Sequence, residues 1–190
     1  MSLQAIRIAL DLDGVLADTM QTFCTLLNAR RPGLRLTPEV FNRWNAWEIA
    51  NITKQDFLRM LDEAWFNWKD IPPMEKDLAA KVSNLARFGR VDIVTGRSEV
   101  TVPFAKEWLR SNSIPYERFV RTSSTKAKAE LHYDVFIDDS DQLMMLLASK
   151  LFVFGFLYEQ PWNRRAKNMP RIFKISKWDQ IPPLIENISG

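Results

Sequence analysis

Residues 6–16 read Ile6-Arg7-Ile8-Ala9-Leu10-Asp11-Leu12-Asp13-Gly14-Val15-Leu16. The run from Ile6 to Leu12 is short and mostly apolar, and Asp13-Gly14 closes it, which predicts a β-strand. A strand without polar alternation belongs inside a sheet covered on both faces. Side chains two apart in a strand share a face, so Asp11 and Asp13 bring two carboxylates together at the end of a buried strand. Unpaired charge there is costly, and the pair calls for a compensating cation or a chemical use. Gly14 permits a tight turn and a close approach of backbone to a ligand.

The rest of the chain repeats the strand-helix rhythm. Helix patterns are predicted over Ala17–Arg30, Glu75–Phe88, Ser98–Ser111, Ser124–Leu131, Gln142–Ala148 and Trp178–Asn187. Further strands are predicted over Val91–Thr95, Phe119–Arg121, Val135–Ile137, Leu151–Phe156 and Ile172–Ile175. Apolar strands alternating with amphipathic helices predict a Rossmann-like three-layer α/β sandwich with a mostly parallel sheet. In such sheets ligands bind beyond the carboxyl ends of the strands. Asp11 and Asp13, Thr95-Gly96-Arg97 and Asp138-Asp139 all fall at such ends.

Residues 19–73 break the rhythm. They hold Trp44, Trp47, Trp65 and Trp68, four of the seven tryptophans, together with Phe23, Phe41, Phe57 and Phe66. Thr53 followed by Asp56 resembles a capping box with Asp in place of Glu. This stretch reads as a small helical cap inserted after the first strand, with Asp70-Ile71-Pro72-Pro73 as the linker back. The expected division is a core of residues 1–18 and 74–190 and a cap of residues 19–73.

Composition sets outer bounds. A chain of 190 residues with 46% hydrophobic and 26% charged residues is an ordinary globular chain. Cys24 is the only cysteine and His132 the only histidine. An internal disulfide, a cysteine zinc cluster and a histidine-based triad are therefore excluded or unexpected. Cys24 falls in an amphipathic helix and reads as buried and inert. The chain has 26 basic against 23 acidic residues and no long basic run, so polymeric nucleic acid is not the expected partner. The basic stretch from Trp162 to Lys174 reads either as solvated surface or as a local anion-attracting patch. No apolar run approaches the roughly 20 residues of a membrane span. Asp11 and Asp13 interrupt the one apolar stretch near the start, so no signal peptide is read there. The expected location is cytoplasmic, and a homodimer stays open.

The chemistry at the strand ends reads as a carboxylate nucleophile, Asp11, beside a carboxyl general acid, Asp13, with a divalent metal to neutralise Asp11 and an incoming phosphate. The blander alternative is an Asp-rich strand-to-turn junction; the other two polar strand ends favour chemistry. The run Asp11-Leu12-Asp13-Gly14-Val15-Leu16-Ala17-Asp18 resembles the first motif of the haloacid dehalogenase-like phosphatases. Thr95 is similar to their second motif, Lys128 or Lys126 to the third and Asp138-Asp139 to the fourth, all in order between Ile6 and Phe156. More narrowly, the chain resembles the cytosolic 5'(3')-deoxyribonucleotidases. The first motif, Lys128 ten residues before Asp138, the aromatic cap and the tail Gln160-Pro161-Trp162-Asn163-Arg164 carry that likeness. Thr95-Gly96-Arg97 departs from their second motif.

The resemblance implies a phosphomonoester hydrolase, and more narrowly a nucleotidase for (deoxy)ribonucleoside monophosphates. Asp11 would form an aspartyl-phosphate, and Asp13 would protonate the leaving oxygen and then deprotonate water. Thr95, Gly96, Arg97 and Lys128 would hold the phosphate. Mg²⁺ would be held by Asp11, Asp139, a backbone carbonyl at Asp13 and, through water, Asp138. Most cap aromatics read as packing, with Trp44, Trp65 or Phe66 as a platform for a base. Rival readings are a phosphatase for another small metabolite, such as a sugar phosphate, and a non-catalytic binding module of the same fold.

Overall fold

A computed structural model describes residues 6–44 and 46–189. The first five residues and the last of the expected core domain lie outside them. Strand β1 (Ile6–Leu10) is followed by helix α1 (Thr19–Arg30) and helix α2 (Lys54–Phe66). Then come α3 (Leu78–Leu85), β2 (Gly89–Thr95), α4 (Val102–Ser111), β3 (Phe119–Arg121), α5 (Thr125–Ala129), β4 (Val135–Asp138), α6 (Asp141–Leu147), β5 (Phe154–Tyr158), β6 (Ile172–Ile175) and α7 (Ile181–Ser189). The six strands form one sheet in the order β3-β2-β1-β4-β5-β6, with every pairing parallel.

The pleat sorts the side chains. Ile8 and Leu10 of β1, with Ile93, Ile137 and Phe156, face one way and bury Leu78, Val82, Ala105, Trp108, Ile181 and Ile185 from α3, α4 and α7. Ala9, Val94, Phe136 and Leu157 face the other way, onto Ala129 of α5 and Leu143, Met144 and Leu147 of α6. Burial on both faces explains why these strands lack polar alternation. The exception is Asp92 in the middle of β2, which is fully buried. It accepts from Arg118 Nε and Nη2 at 3.0 and 2.9 Å, from the Arg118 backbone N–H at 3.0 Å and from Tyr133 Oη at 2.8 Å. Burial raises its carboxyl, but the bonds from Arg118, Tyr133 and Arg90 outweigh that and hold it below the usual carboxylate range.

One predicted strand is corrected. Residues 151–156 are apolar, but the strand runs over Phe154–Tyr158, because Phe154 pairs with Val135 and Tyr158 with Ile175. Leu151 and Phe152 are exposed before it. In the basic tail, Arg171 donates to the Lys150 and Ala148 carbonyls and Lys174 to the Ala166 carbonyl.

Between β1 and β2 the chain leaves the sheet at Ala17 and returns at Pro73, and these two residues form an antiparallel bridge. Asp18 N–H donates to the Pro72 carbonyl at 2.9 Å and Met74 N–H to the Leu16 carbonyl at 2.8 Å. The helical segment between them has its own core of Phe23, Cys24, Leu27, Phe41 and Met60. Burial pushes the Cys24 thiol up to about 12, so it is no nucleophile. Thr53 caps α2 by accepting from Asp56 N–H at 3.1 Å, while its hydroxyl donates to the Asp56 carboxylate at 2.7 Å.

Candidate active site

The sheet order reverses direction between β1 and β4, and the crevice beyond such a point is where an open α/β sheet binds ligands. Asp11 follows β1 directly and donates its N–H to the Ile137 carbonyl of β4 at 2.9 Å. Asp138 ends β4 and Asp139 follows it. The carboxylates of Asp11, Asp138 and Asp139 are all buried, with oxygens within 4.8 Å of one another. Lys128, buried on α5, places its ammonium 2.6 Å from Asp11 Oδ1 and 2.5 Å from Asp138 Oδ2. Lys126, two residues earlier and so on the opposite side of the same short helix, is exposed. Of the two candidate third-motif lysines, only Lys128 faces the acids.

Three carboxylates against one ammonium leave an excess of negative charge in a desolvated place. Burial pushes the Asp11 carboxyl up to about 7, with Lys128 opposing and Asp138 and Asp13 adding to the rise. Burial, then Asp138 and Asp11, raise Asp139 as well. Lys128 is held above its ordinary range: burial works against its charge, but Asp11 and Asp138 overcome that. An all-oxygen acidic cluster of this kind fits a hard divalent cation such as Mg²⁺. Asp138 has both oxygens engaged, Oδ2 by Lys128 and Oδ1 by the Ser140 N–H at 2.8 Å.

Asp13 sits apart from this cluster. Its Oδ1 accepts from Thr19 Oγ1 at 2.5 Å and from the indole N–H of Trp65 at 2.8 Å. Its Oδ2 lies 3.2 Å from Arg97 Nε. Of the four residues expected at the metal, Asp13 therefore does not bring its carboxylate, and its expected contribution was the backbone carbonyl. The Arg97 guanidinium is buried, donates to the Leu61 carbonyl at 3.3 Å and lies 3.8 Å from Asp62, so it braces Asp13 against α2. Thr95 is buried at the end of β2, where its hydroxyl accepts from the Arg97 N–H at 3.2 Å, and Gly96 is exposed beside it.

A cavity of about 410 Å³ opens over these groups. Asp11, Asp13, Thr95, Gly96, Arg97, Lys128, Asp138 and Asp139 line its floor, and Phe41, Trp44, Trp47 and Phe57 of the helical segment line its wall. Trp44 lies in that wall, and Trp65 and Phe66 do not: Trp65 is fully buried against Trp108, and Phe66 is exposed and packed edge-on to Phe104. The turn Thr122–Thr125, with Arg43 and Lys54, also lines the cavity and was not singled out in the sequence. The N-terminal turn of α5, capped by the Ser124 side chain, was its one available signal.

The model of the family described as 5' nucleotidase, deoxy (pyrimidine), cytosolic type C protein matches residues 4–188. The chain belongs to this family. It is a phosphoric monoester hydrolase, and its fold is that of haloacid dehalogenase-like hydrolases. No curated protein matches it at a significant level. Solved structures share the family's fold at low identity. A haloacid dehalogenase-like family hydrolase from Streptococcus pneumoniae superimposes with a TM-score of 0.67 at 11% identity, covering 94% of this chain and 97% of that one. A HAD-superfamily hydrolase of subfamily IA from Geobacter sulfurreducens gives a TM-score of 0.61 at 13% identity, covering 95% and 96%. The magnesium-bound YfnB of Bacillus subtilis gives 0.57 at 14% identity, covering 96% and 99%.

Proposed function

We propose that the chain hydrolyses nucleoside monophosphates, deoxyribonucleotides preferred, at the cluster of Asp11, Lys128 and Asp139, with residues 19–73 as the cap that reads the leaving group. The observation that carries this reading is the pairing of a phosphate-sized acidic and basic floor with an aromatic wall in one cavity. A base offers a flat face to Trp44 or Trp47, whereas a sugar calls for hydrogen-bonding side chains.

Asp11 attacks phosphorus in line; its bond to phosphorus forms as the bond to the leaving oxygen breaks. Asp13 gives that oxygen its proton. Water then attacks the aspartyl-phosphate, Asp13 takes the water's proton, and Asp11 is released with phosphate. Lys128 offsets the charge shared by Asp11 and the phosphoryl oxygens. Thr19 and Trp65 hold Asp13 in place by donating to its Oδ1, and Arg97 ties it to α2. Mg²⁺ at Asp11 and Asp139 would supply the remaining positive charge for the phosphate. The magnesium-bound Bacillus neighbour is in keeping with that choice.

The test is turnover of a panel of 5'- and 3'-nucleotides, hexose and triose phosphates and p-nitrophenyl phosphate, with and without Mg²⁺. Nucleotides should be hydrolysed fastest and only with the metal. Sugar phosphates outrunning every nucleotide would leave the general phosphatase and remove the nucleotidase.

A further inference from the structure

Trp162 lies in the connection between β5 and β6, far in sequence from every acid of the site. Its indole N–H donates to Asp139 Oδ2 at 3.0 Å. The same ring stands edge-on to Trp44, with centroids 6.2 Å apart and planes at 61°. One side chain thus touches a proposed metal ligand and the aromatic wall of the substrate cavity.

Its surroundings hold it still. Gln160 N–H donates to Asn163 Oδ1 at 2.9 Å, which closes the turn that carries Trp162. Asn163 Nδ2 donates to the carbonyls of Asp139 and Tyr158, both at 2.8 Å. Gln160 Nε2 donates to the Gly14 carbonyl at 2.6 Å. The turn is therefore fastened to the loop after β1 and to the loop after β4. Gly14 leaves no slack between them. It has φ +73°, and a Cβ there would fall 2.4 Å from Asp139 Oδ2 and 3.2 Å from Trp162 Cζ2.

A carboxylate side chain turns easily about its last bond, and a donor fixed on one oxygen removes that freedom. We propose that Trp162 is a positioning residue: its N–H sets the orientation of Asp139 for Mg²⁺, and its ring edge sets Trp44. This rests on the reading of Asp139 as a Mg²⁺ ligand. Partners of metal ligands typically change affinity by about 10–100-fold when removed.

Trp162→Phe keeps a ring against Trp44 and loses the N–H. Calorimetric titration should show Mg²⁺ binding to W162F roughly 10–100-fold weaker than to the wild type. At saturating Mg²⁺ the nucleotide KM should rise more in Trp162→Ala than in W162F, which keeps a ring against Trp44; an equal rise in both overturns the part assigned to the ring edge. The wild-type protein gives a readout that needs no variant to fold: the indole ¹⁵N–H resonance of Trp162, assigned through its backbone, should move with Mg²⁺ at the calorimetric Kd. Equal Mg²⁺ affinity in W162F, or an unmoved resonance, overturns the proposal alone. A wild type with no Mg²⁺ affinity fails the underlying metal reading and the proposal together.

Discussion

Asp13 meets three donors, from Thr19, Trp65 and Arg97, and that setting separates its role from that of Asp11. Asp13→Asn should lower turnover of nucleotides by about 10²–10⁴-fold, the usual contribution of a general acid. p-Nitrophenyl phosphate, whose leaving group needs no proton, should lose less; equal losses would remove the acid role. Trp65→Phe deletes one hydrogen bond that orients Asp13, about 0.5–1.5 kcal/mol, so kcat for nucleotides should fall by roughly 2- to 13-fold. Steady-state kinetics should show kcat moving more than KM. Lys128→Ala should cost far more activity than Lys126→Ala, because only Lys128 touches Asp11 and Asp138; the reverse order in a rate assay would move the third motif. These acids were legible in the sequence because strand ends announce themselves. Trp65 was legible as an aromatic but not by its direction: an indole N–H aimed at Asp13, 52 residues away, leaves no trace in local spacing.

At the scale of elements, β2 shows where periodicity stops informing. Val91-Asp92-Ile93-Val94 reads as a strand, and it is one, but the partners that make Asp92 tolerable come from Arg118 and Tyr133 across the sheet. Asp92→Ala should destabilise the protein by about 1–3 kcal/mol, the cost of leaving buried polar partners unmet. The pH dependence has a definite sign. The folded carboxyl lies below its ordinary value, near 3.9 in an unfolded chain. Its stabilisation is present above that value and is lost as pH falls through the folded one. Urea unfolding from pH 6 to pH 2 should show a shallower acid limb in Asp92→Ala than in the wild type; parallel limbs would remove Asp92 from the acid response. The strand β5 carries the complementary lesson. Leu151 and Phe152 are as apolar as the strand residues, so composition could not place the boundary; the register against β4 and β6 does.

Across the whole molecule, the aromatic wall comes from the helical segment and the acidic floor from the sheet ends. Trp44 is 36% exposed, so Trp44→Ala should leave the thermal midpoint nearly unchanged. Its nucleotide KM should rise by roughly 5- to 100-fold, matching a stacking contribution of about 1–3 kcal/mol, with little change for p-nitrophenyl phosphate. A parallel rise for both substrates would make the effect structural. The order of the strand ends made the floor legible in the sequence. Which of the aromatics form the wall was not, since composition marks a segment as aromatic without saying which ring faces inward. The bridge between Ala17 and Pro73 has a consequence of another kind. The chain leaves and rejoins the sheet at two neighbouring points, so the strand register does not itself fix how many residues lie between them. The junction is a place where the length of that segment can change while the sheet beneath keeps its register.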